Sequence, residues 1–195
     1  SPFMSKADEG MWLPMLIKRL NYADMQKHGL QLTADEIYSV NNSSLKDAIV
    51  ALNGGSCTAE TISEKGLLLT NHHCAFGVIQ DNSAPEHDYL MDGFWAMAMK
   101  EELNARGMTA SYLIEMRDVT SDLLTEISIT LSGEERQKAV SEATKAIQEK
   151  ISGEVAEHYD VKIKEFYEGN EYYAFVYETY RDVRLVGAPP SSIGK

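Results

Sequence analysis

Residues 56–74 read Ser-Cys-Thr-Ala-Glu-Thr-Ile-Ser-Glu-Lys-Gly-Leu-Leu-Leu-Thr-Asn-His-His-Cys. The first seven of these residues alternate in polarity and are rich in threonine, whereas residues 67–70 form a short apolar run. The Ser-Glu-Lys-Gly between them has the composition of a turn, so the stretch predicts a β-hairpin. Folding the hairpin brings Cys57 at one end close to Cys74 at the other, so a disulfide between them can form.

Two adjacent histidines, His72 and His73, stand between the second strand and Cys74. We expect the strand to carry both imidazoles to its end, where anchoring Cys74 would restrict their orientation. A general base must be held in one orientation within hydrogen-bond reach of its nucleophile. Two other interpretations remain open: the histidines are ordinary polar residues, or one of them joins Cys57 and Cys74 as a zinc ligand.

The composition is that of a soluble globular protein. The chain has 195 residues, of which 44% are hydrophobic and 25% are charged, and this length is sufficient to bury a core. Its net charge of −12 and the lack of a basic cluster argue against a nucleic-acid partner. No apolar run reaches the length of a membrane span. The first nine residues lack the apolar core of a signal peptide, which predicts either a cytosolic protein or an exported one whose signal has been removed.

The spacing of apolar residues predicts two long helices. The first covers about residues 11–28 and stops before Gly29. The second covers about residues 134–151 and begins at a capping box formed by Ser132 and Glu135. We expect the inward face of this second helix to consist of Ala139, Val140, Ala143, Ile147 and Ile151.

Shorter elements fill the rest of the chain. Thr33 and Glu36 predict a capping box for a short helix, and residues 92–106 are predicted to be helical. Residues 187–195 have loop composition without a closing element, which predicts that the polypeptide continues beyond them. Further strands are predicted at 48–52, at 109–119 with Tyr112, Ile114 and Met116 on one face, at 161–167 paired with 171–180, and at 183–186.

Four segments carry a resemblance that spans essentially the whole chain. They are Gly-Met-Trp-Leu-Pro at 10–14, Ser-Cys-Thr-Ala-Glu at 56–60, Gly-Leu-Leu-Leu-Thr-Asn-His-His-Cys at 66–74 and Gly-Ala-Pro-Pro-Ser-Ser-Ile-Gly-Lys at 187–195. In this order they resemble the bacterial dipeptidyl peptidase 7 and 11 family, serine exopeptidases of chymotrypsin-like fold with a large helical insertion. The segment 70–74 is also similar to the Thr-Ala-Ala-His-Cys segment of chymotrypsin-like peptidases, which have a half-cystine at a matching upstream position.

The resemblance implies roles for the residues of the hairpin. His73 would be the base of a Ser-His-Asp triad, Cys57–Cys74 the disulfide beside it, and His72 and Asn71 its supporting neighbours. The triad aspartate, the nucleophilic serine and an Asn-Trp pair that clamps the substrate's N-terminus would lie beyond Lys195, so the fragment alone would be inactive.

Two residues invite a different assignment that we reject. Asp118 lies at the chymotrypsin-like spacing of about 45 residues after the histidine, but we expect it to be a strand-end or turn residue. Ser56 follows two glycines as a nucleophile can, but we expect it to open the first strand of the hairpin.

The predicted fold is therefore mixed, mainly β with helices: residues 1–195 form the N-terminal part of the catalytic domain of a chymotrypsin-like double β-barrel, with the two long helices added to the first barrel. The resemblance implies a serine-type dipeptidyl aminopeptidase that removes dipeptides from oligopeptides with a free N-terminus, without metal or organic cofactor. It also implies a homodimer in the periplasm or on the surface of a Gram-negative bacterium. The alternative is a non-catalytic binding or structural remnant of the same fold.

Overall fold

The computed structural model of the chain describes residues 13–39, 42–125, 127 and 131–194. These residues belong to two compact units, which comprise residues 1–46 and 47–195. The mixed helix-and-sheet class predicted from the sequence is confirmed.

The first unit contains short helices in place of the one long helix predicted at 11–28. A 3₁₀ turn at Pro14–Leu16 leads into α1 (Ile17–Leu20), and α2 (Tyr22–Lys27) follows. The break lies at Asn21, whose φ of −140° is outside the helical range. Residues 11 and 12 of the predicted helix lie outside the described residues.

The third helix of this unit, α3 (Ala34–Ile37), begins at the capping box that the sequence predicts. The hydroxyl of Thr33 accepts a hydrogen bond from the N–H of Glu36, and the Glu36 carboxylate accepts one from the N–H of Thr33 at 2.7 Å. The bond from the Thr33 backbone is the largest of the effects that lower the pKa of Glu36.

The second unit contains the strands and four α-helices, which include the two longest helices of the described residues. The helices are α4 (His72–Asn82), α5 (Tyr89–Asp92), α6 (Thr120–Thr125) and α7 (Gly133–Glu154). The strands are β1 (Ile49–Leu52), β2 (Cys57–Thr61), β3 (Leu68–Thr70), β4 (Phe94–Trp95), β5 (Leu103–Asn104), β6 (Ala110–Asp118), β7 (Tyr159–Phe166), β8 (Glu171–Tyr180), β9 (Arg184–Leu185) and β10 (Gly187–Ala188).

Six of these strands form one antiparallel sheet in the order β3-β2-β1-β6-β8-β7. Both predicted hairpins, β2 with β3 and β7 with β8, are present in it. Within the described residues no strand pairing joins β3 to β7, so the sheet is open, and the barrel remains a prediction. The remaining strands form two small pairs, β4 with β10 and β5 with β9.

The main core lies between α7 and one face of β7 and β8. Ala143 and Ile151 of α7 are buried in it, and the other predicted inward residues of that helix pack against the same cluster, which confirms the predicted face. The predicted capping box at Ser132 is wrong, because Ser132 makes no side-chain capping bond. Gly133, the first residue of α7, has a φ of +54° and so does not have a right-handed helical backbone. The capping arrangement requires helical backbone directly after the capping residue.

The sequence prediction fails in two stretches of sheet. Residues 92–106 are not helical as a whole, because Phe94 and Trp95 pair with β10, and Leu103 and Asn104 pair with β9. In β6 the register shifts between Leu113 and Glu115. This bulge places Tyr112 opposite Glu178 but Met116 opposite Phe175, so Tyr112 and Met116 lie on opposite faces of the sheet rather than on one.

Candidate active site

The histidine pair lies at the start of a helix and not at the end of a strand. The strand β3 ends at Thr70, and Asn71 has the extended backbone of a residue that precedes a helix. His72 and His73 then begin α4, so the sequence prediction is corrected at this point. Asparagine is a favoured residue before a helix, and this was the signal that could have revealed α4.

A disulfide joins this helix to the sheet. Cys74 in the first turn of α4 is bonded to Cys57 at the start of β2, with the two Cα atoms 6.0 Å apart. The N–H of Cys74 also donates to the carbonyl of Asn71 at 3.0 Å. The residue that follows His73 is therefore fixed both by a covalent bond and by the first turn of its helix.

The His73 side chain is exposed beside this disulfide. A nitrogen of its ring and the two sulfur atoms of Cys57 and Cys74 all lie within 4.8 Å of one another. An exposed imidazole whose backbone is fixed can exchange a proton with a group that approaches from the solvent side.

The same three residues are those of the zinc interpretation. In the structure, however, the sulfur atoms of Cys57 and Cys74 are bonded to each other. A disulfide cannot supply the thiolates that zinc binds. The interpretation of these residues as a zinc site therefore does not apply to the disulfide-bonded chain.

The neighbouring His72 has a different environment from His73. It is half-buried, and its Nε2 is enclosed without a hydrogen-bond partner among the described residues. Its ring forms a T-shaped contact with the Phe76 ring at a centroid distance of 6.4 Å. The backbone of Gly194, near the other end of the chain, lies directly against this ring. No local pattern connects Gly194 with the histidine pair, since Gly194 lies 122 positions after His72 (194 − 72).

The two rejected candidates have structural roles in this chain. Asp118 is the last residue of β6, and its carboxylate accepts a hydrogen bond from the N–H of Thr120 at 2.9 Å. It therefore stabilises the turn into α6, as expected of a strand-end residue. Ser56 immediately precedes β2 and opens the hairpin strand.

No helix in the described part of the chain combines the length and the apolar character that crossing a bilayer requires. The longest helix, α7, has 22 residues, and charged side chains are distributed along its sequence.

Comparison with known proteins gives a consistent assignment. The chain is 50% identical over 194 residues to dipeptidyl-peptidase 7 of Capnocytophaga gingivalis, an alignment that covers 100% of this chain and 27% of that protein. It is 46% identical over 186 residues to the Asp/Glu-specific dipeptidyl-peptidase of Flavobacterium psychrophilum, with 95% of this chain and 26% of that protein covered. The crystal structure of Porphyromonas endodontalis DPP11 in complex with substrate matches with a TM-score of 0.86 and 41% identity, over 96% of this chain and 28% of that one.

The chain thus spans about a quarter of the length of these relatives. The match to the family description "Peptidase S46" covers residues 7–195. The chain belongs to peptidase family S46.

Proposed function

We propose that the chain is the N-terminal part of a serine-type dipeptidyl aminopeptidase in which His73 is the general base. The observation that carries the proposal is the exposed imidazole of His73 in the first turn of α4, next to a cysteine that a disulfide ties to β2. The names of the relatives, dipeptidyl-peptidase 7 and Asp/Glu-specific dipeptidyl-peptidase, support the same reaction.

In this mechanism His73 transfers one proton during formation of the acyl-enzyme and another during its hydrolysis. Its ring accepts the proton of the serine hydroxyl as the serine oxygen attacks the carbonyl carbon of the substrate's second residue. It then donates that proton to the nitrogen of the departing peptide, which leaves the dipeptide esterified to the serine. A water molecule hydrolyses the ester by the same two proton transfers in sequence. Because Cys74 is fixed to Cys57, the imidazole has little freedom besides its own side-chain rotations.

The other parts of the machinery are proposed to follow Lys195 in the complete polypeptide. These are the aspartate that orients the imidazole, the serine nucleophile and the groups that bind the substrate's free amino group. Residues 1–195 would form part of the first of two chymotrypsin-like barrels. The isolated chain is accordingly proposed to be inactive.

The disulfide also supports a location. Disulfides persist in oxidising compartments, so the bond between Cys57 and Cys74 favours the periplasm or the surface of a Gram-negative bacterium. The proposed partners are oligopeptides with a free N-terminus and, for the complete protein, a second copy of itself. The proposed chemistry requires neither a metal nor an organic cofactor.

The test is to measure turnover of fluorogenic dipeptidyl amides by the complete polypeptide and by its His73→Ala variant. We expect kcat/KM to fall on the order of 10⁴-fold or more, since triad members act as a unit. His158→Ala is the matched control, because His158 is an exposed histidine that precedes β7, and it should retain near-native turnover. Acetylating the amino group of the substrate should abolish cleavage.

Other results would contradict the proposal. A complete polypeptide that cleaves none of these amides would favour the non-catalytic remnant. Equal turnover of free and acetylated substrates would exclude an aminopeptidase. Turnover by residues 1–195 alone would show that the nucleophile lies within this chain.

A further inference from the structure

The segment 187–194 follows a fixed path across the second unit. Its first two residues form β10, which pairs with β4. Beyond that pair, the N–H of Ser191 donates to the carbonyl of Leu90 at 2.8 Å. Gly93 allows this close approach, because a Cβ at that position would lie 2.9 Å from both the carbonyl oxygen of Ala188 and a ring carbon of Pro190. The segment is therefore anchored before it reaches the histidine pair.

Near its end the segment lies directly against His72. A Cβ on Gly194 would lie 2.4 Å from Cδ2 of the His72 ring and 2.8 Å from Cγ. The φ of Gly194 is outside the left-handed region, so glycine is required there for space and not for backbone conformation. Its N–H donates to the carbonyl of Pro190 at 2.9 Å, which fixes the position of the contact.

The His72 ring has little room to move away from Gly194. Its Nε2 is enclosed, and the ring of Phe76, one helical turn further along α4, lies beside it in a T-shaped arrangement. A methyl group on residue 194 would have to separate from Cδ2 by about 1 Å more to reach an ordinary contact distance of 3.4 Å. That displacement would act on the first turn of α4.

His73 stands between two restrained neighbours. The ring of His72, before it, packs against the backbone of Gly194, and Cys74, after it, is bonded to Cys57. The His73 ring itself is exposed, so its position depends on these neighbours more than on contacts of its own. We propose that Gly194 is a positioning residue that sets the His73 imidazole through the ring of His72. The inference rests on the proposed role of His73 as the base.

The first test uses residues 1–195 and does not depend on activity. Gly194→Ala should displace the Cε1–H NMR resonance of His73 at fixed pH, because the His72 ring must move. Gly153→Ala is the matched control: Gly153 is exposed on α7, and a Cβ there would meet nothing within 4 Å. It should leave the His73 resonance in its native position.

The second test uses the complete polypeptide. Gly194→Ala should lower kcat by about tenfold while KM changes little, because a misplacement of about 1 Å at a catalytic group costs up to about 10²-fold. In a His72→Ala background the added methyl group has room, so the further loss of kcat on introducing Gly194→Ala should be less than about twofold.

Three results would overturn the inference. One is a folded Gly194→Ala chain with an unchanged His73 resonance. Another is a loss of kcat that is equally large with and without the His72 ring. The third applies if Gly194→Ala fails to fold: if His72→Ala alone folds but the double variant does not, the His72 ring is not what excludes the added methyl group. A complete polypeptide without turnover would refute the proposed function. The NMR comparison would still show whether Gly194 affects the position of the His73 ring.

Discussion

Two regions of the second unit are stabilised in different ways. The α7 layer, which we define as α6, α7, β7 and β8, contains one continuous apolar cluster in which Leu123, Ala174 and Val176 are fully buried. The His73 region, which we define as β2, β3, α4 and the segment 187–194, contributes to two smaller clusters: Ala59 to the one around Val50, and Ile79 and Ala188 to the other. Its distinctive restraints are the disulfide and the contact of Gly194 with the His72 ring.

The difference is consistent with the proposed role of His73. Apolar burial stabilises the α7 layer because its inward side chains are largely removed from water. The ring of a proposed base must remain accessible to substrate, so His73 cannot be held by burial. A covalent bond and a close backbone approach restrict the neighbours of His73 while leaving its ring exposed. We therefore expect substitutions in the α7 layer to change stability alone, and substitutions in the His73 region to change the geometry around His73 as well.

The largest expected effect lies in the α7 layer. Leu123→Ala removes a fully buried side chain and should lower the free energy of unfolding by about 2–5 kcal/mol. Urea unfolding of residues 1–195 measures this loss. The control is Leu69→Ala on β3, whose side chain is 59% exposed, and it should change stability by no more than about 0.5 kcal/mol. Equal losses in the two variants would refute the contrast in burial.

The second largest expected effect is the loss of the disulfide, which should act on the His73 region and not on the α7 layer. Replacing both cysteines, Cys57→Ser and Cys74→Ser, should cost about 3 kcal/mol, the chain-entropy value for a loop of this size. Hydrogen exchange should show the loss of protection concentrated in β2, β3 and α4. Titration of the native chain without reductant should find no free thiols, and two free thiols would remove the basis of the comparison. A uniform loss of protection that includes α7 would show that the regions are not separable.

The smallest expected effect is the contribution of Tyr173, in β8, to the pH dependence of stability. Burial, and then the hydrogen bond that its hydroxyl donates to Glu171 at 2.8 Å, raise the pKa of Tyr173 to about 12. Between about pH 10, where an unfolded tyrosine ionises, and pH 12, the folded chain keeps this phenol neutral. Stability should therefore fall as the pH rises through this window.

The midpoint of urea unfolding, measured across the same pH range, checks this expectation. Tyr173→Phe should flatten the decline, whereas Tyr167→Phe, at a 54% exposed position, should leave it as in the native chain. A decline that is identical in native and Tyr173→Phe chains would contradict the assignment.

Local patterns predicted much of the fold. Apolar spacing identified the inward face of α7, and strand-turn-strand composition identified both hairpins. The failures occurred where distant strands decided the outcome. Phe94 and Trp95 look helical in their local context, but β10, more than 90 residues later (187 − 95 = 92), pairs with them. Tertiary pairing of this kind overrides local propensity.

The candidate site, like the fold, was predictable only in its local features. The sequence alone determined which residues are available: a histidine next to a cysteine, a second cysteine 17 residues earlier, and a hairpin that brings the two cysteines together. These features depend on a short piece of chain, so their spacing constrains their geometry. The tertiary structure decided that His73 begins a helix, that its ring is exposed while the His72 ring is enclosed, and that Gly194 restrains the latter. These depend on close approaches between segments far apart in the chain, which packing alone determines.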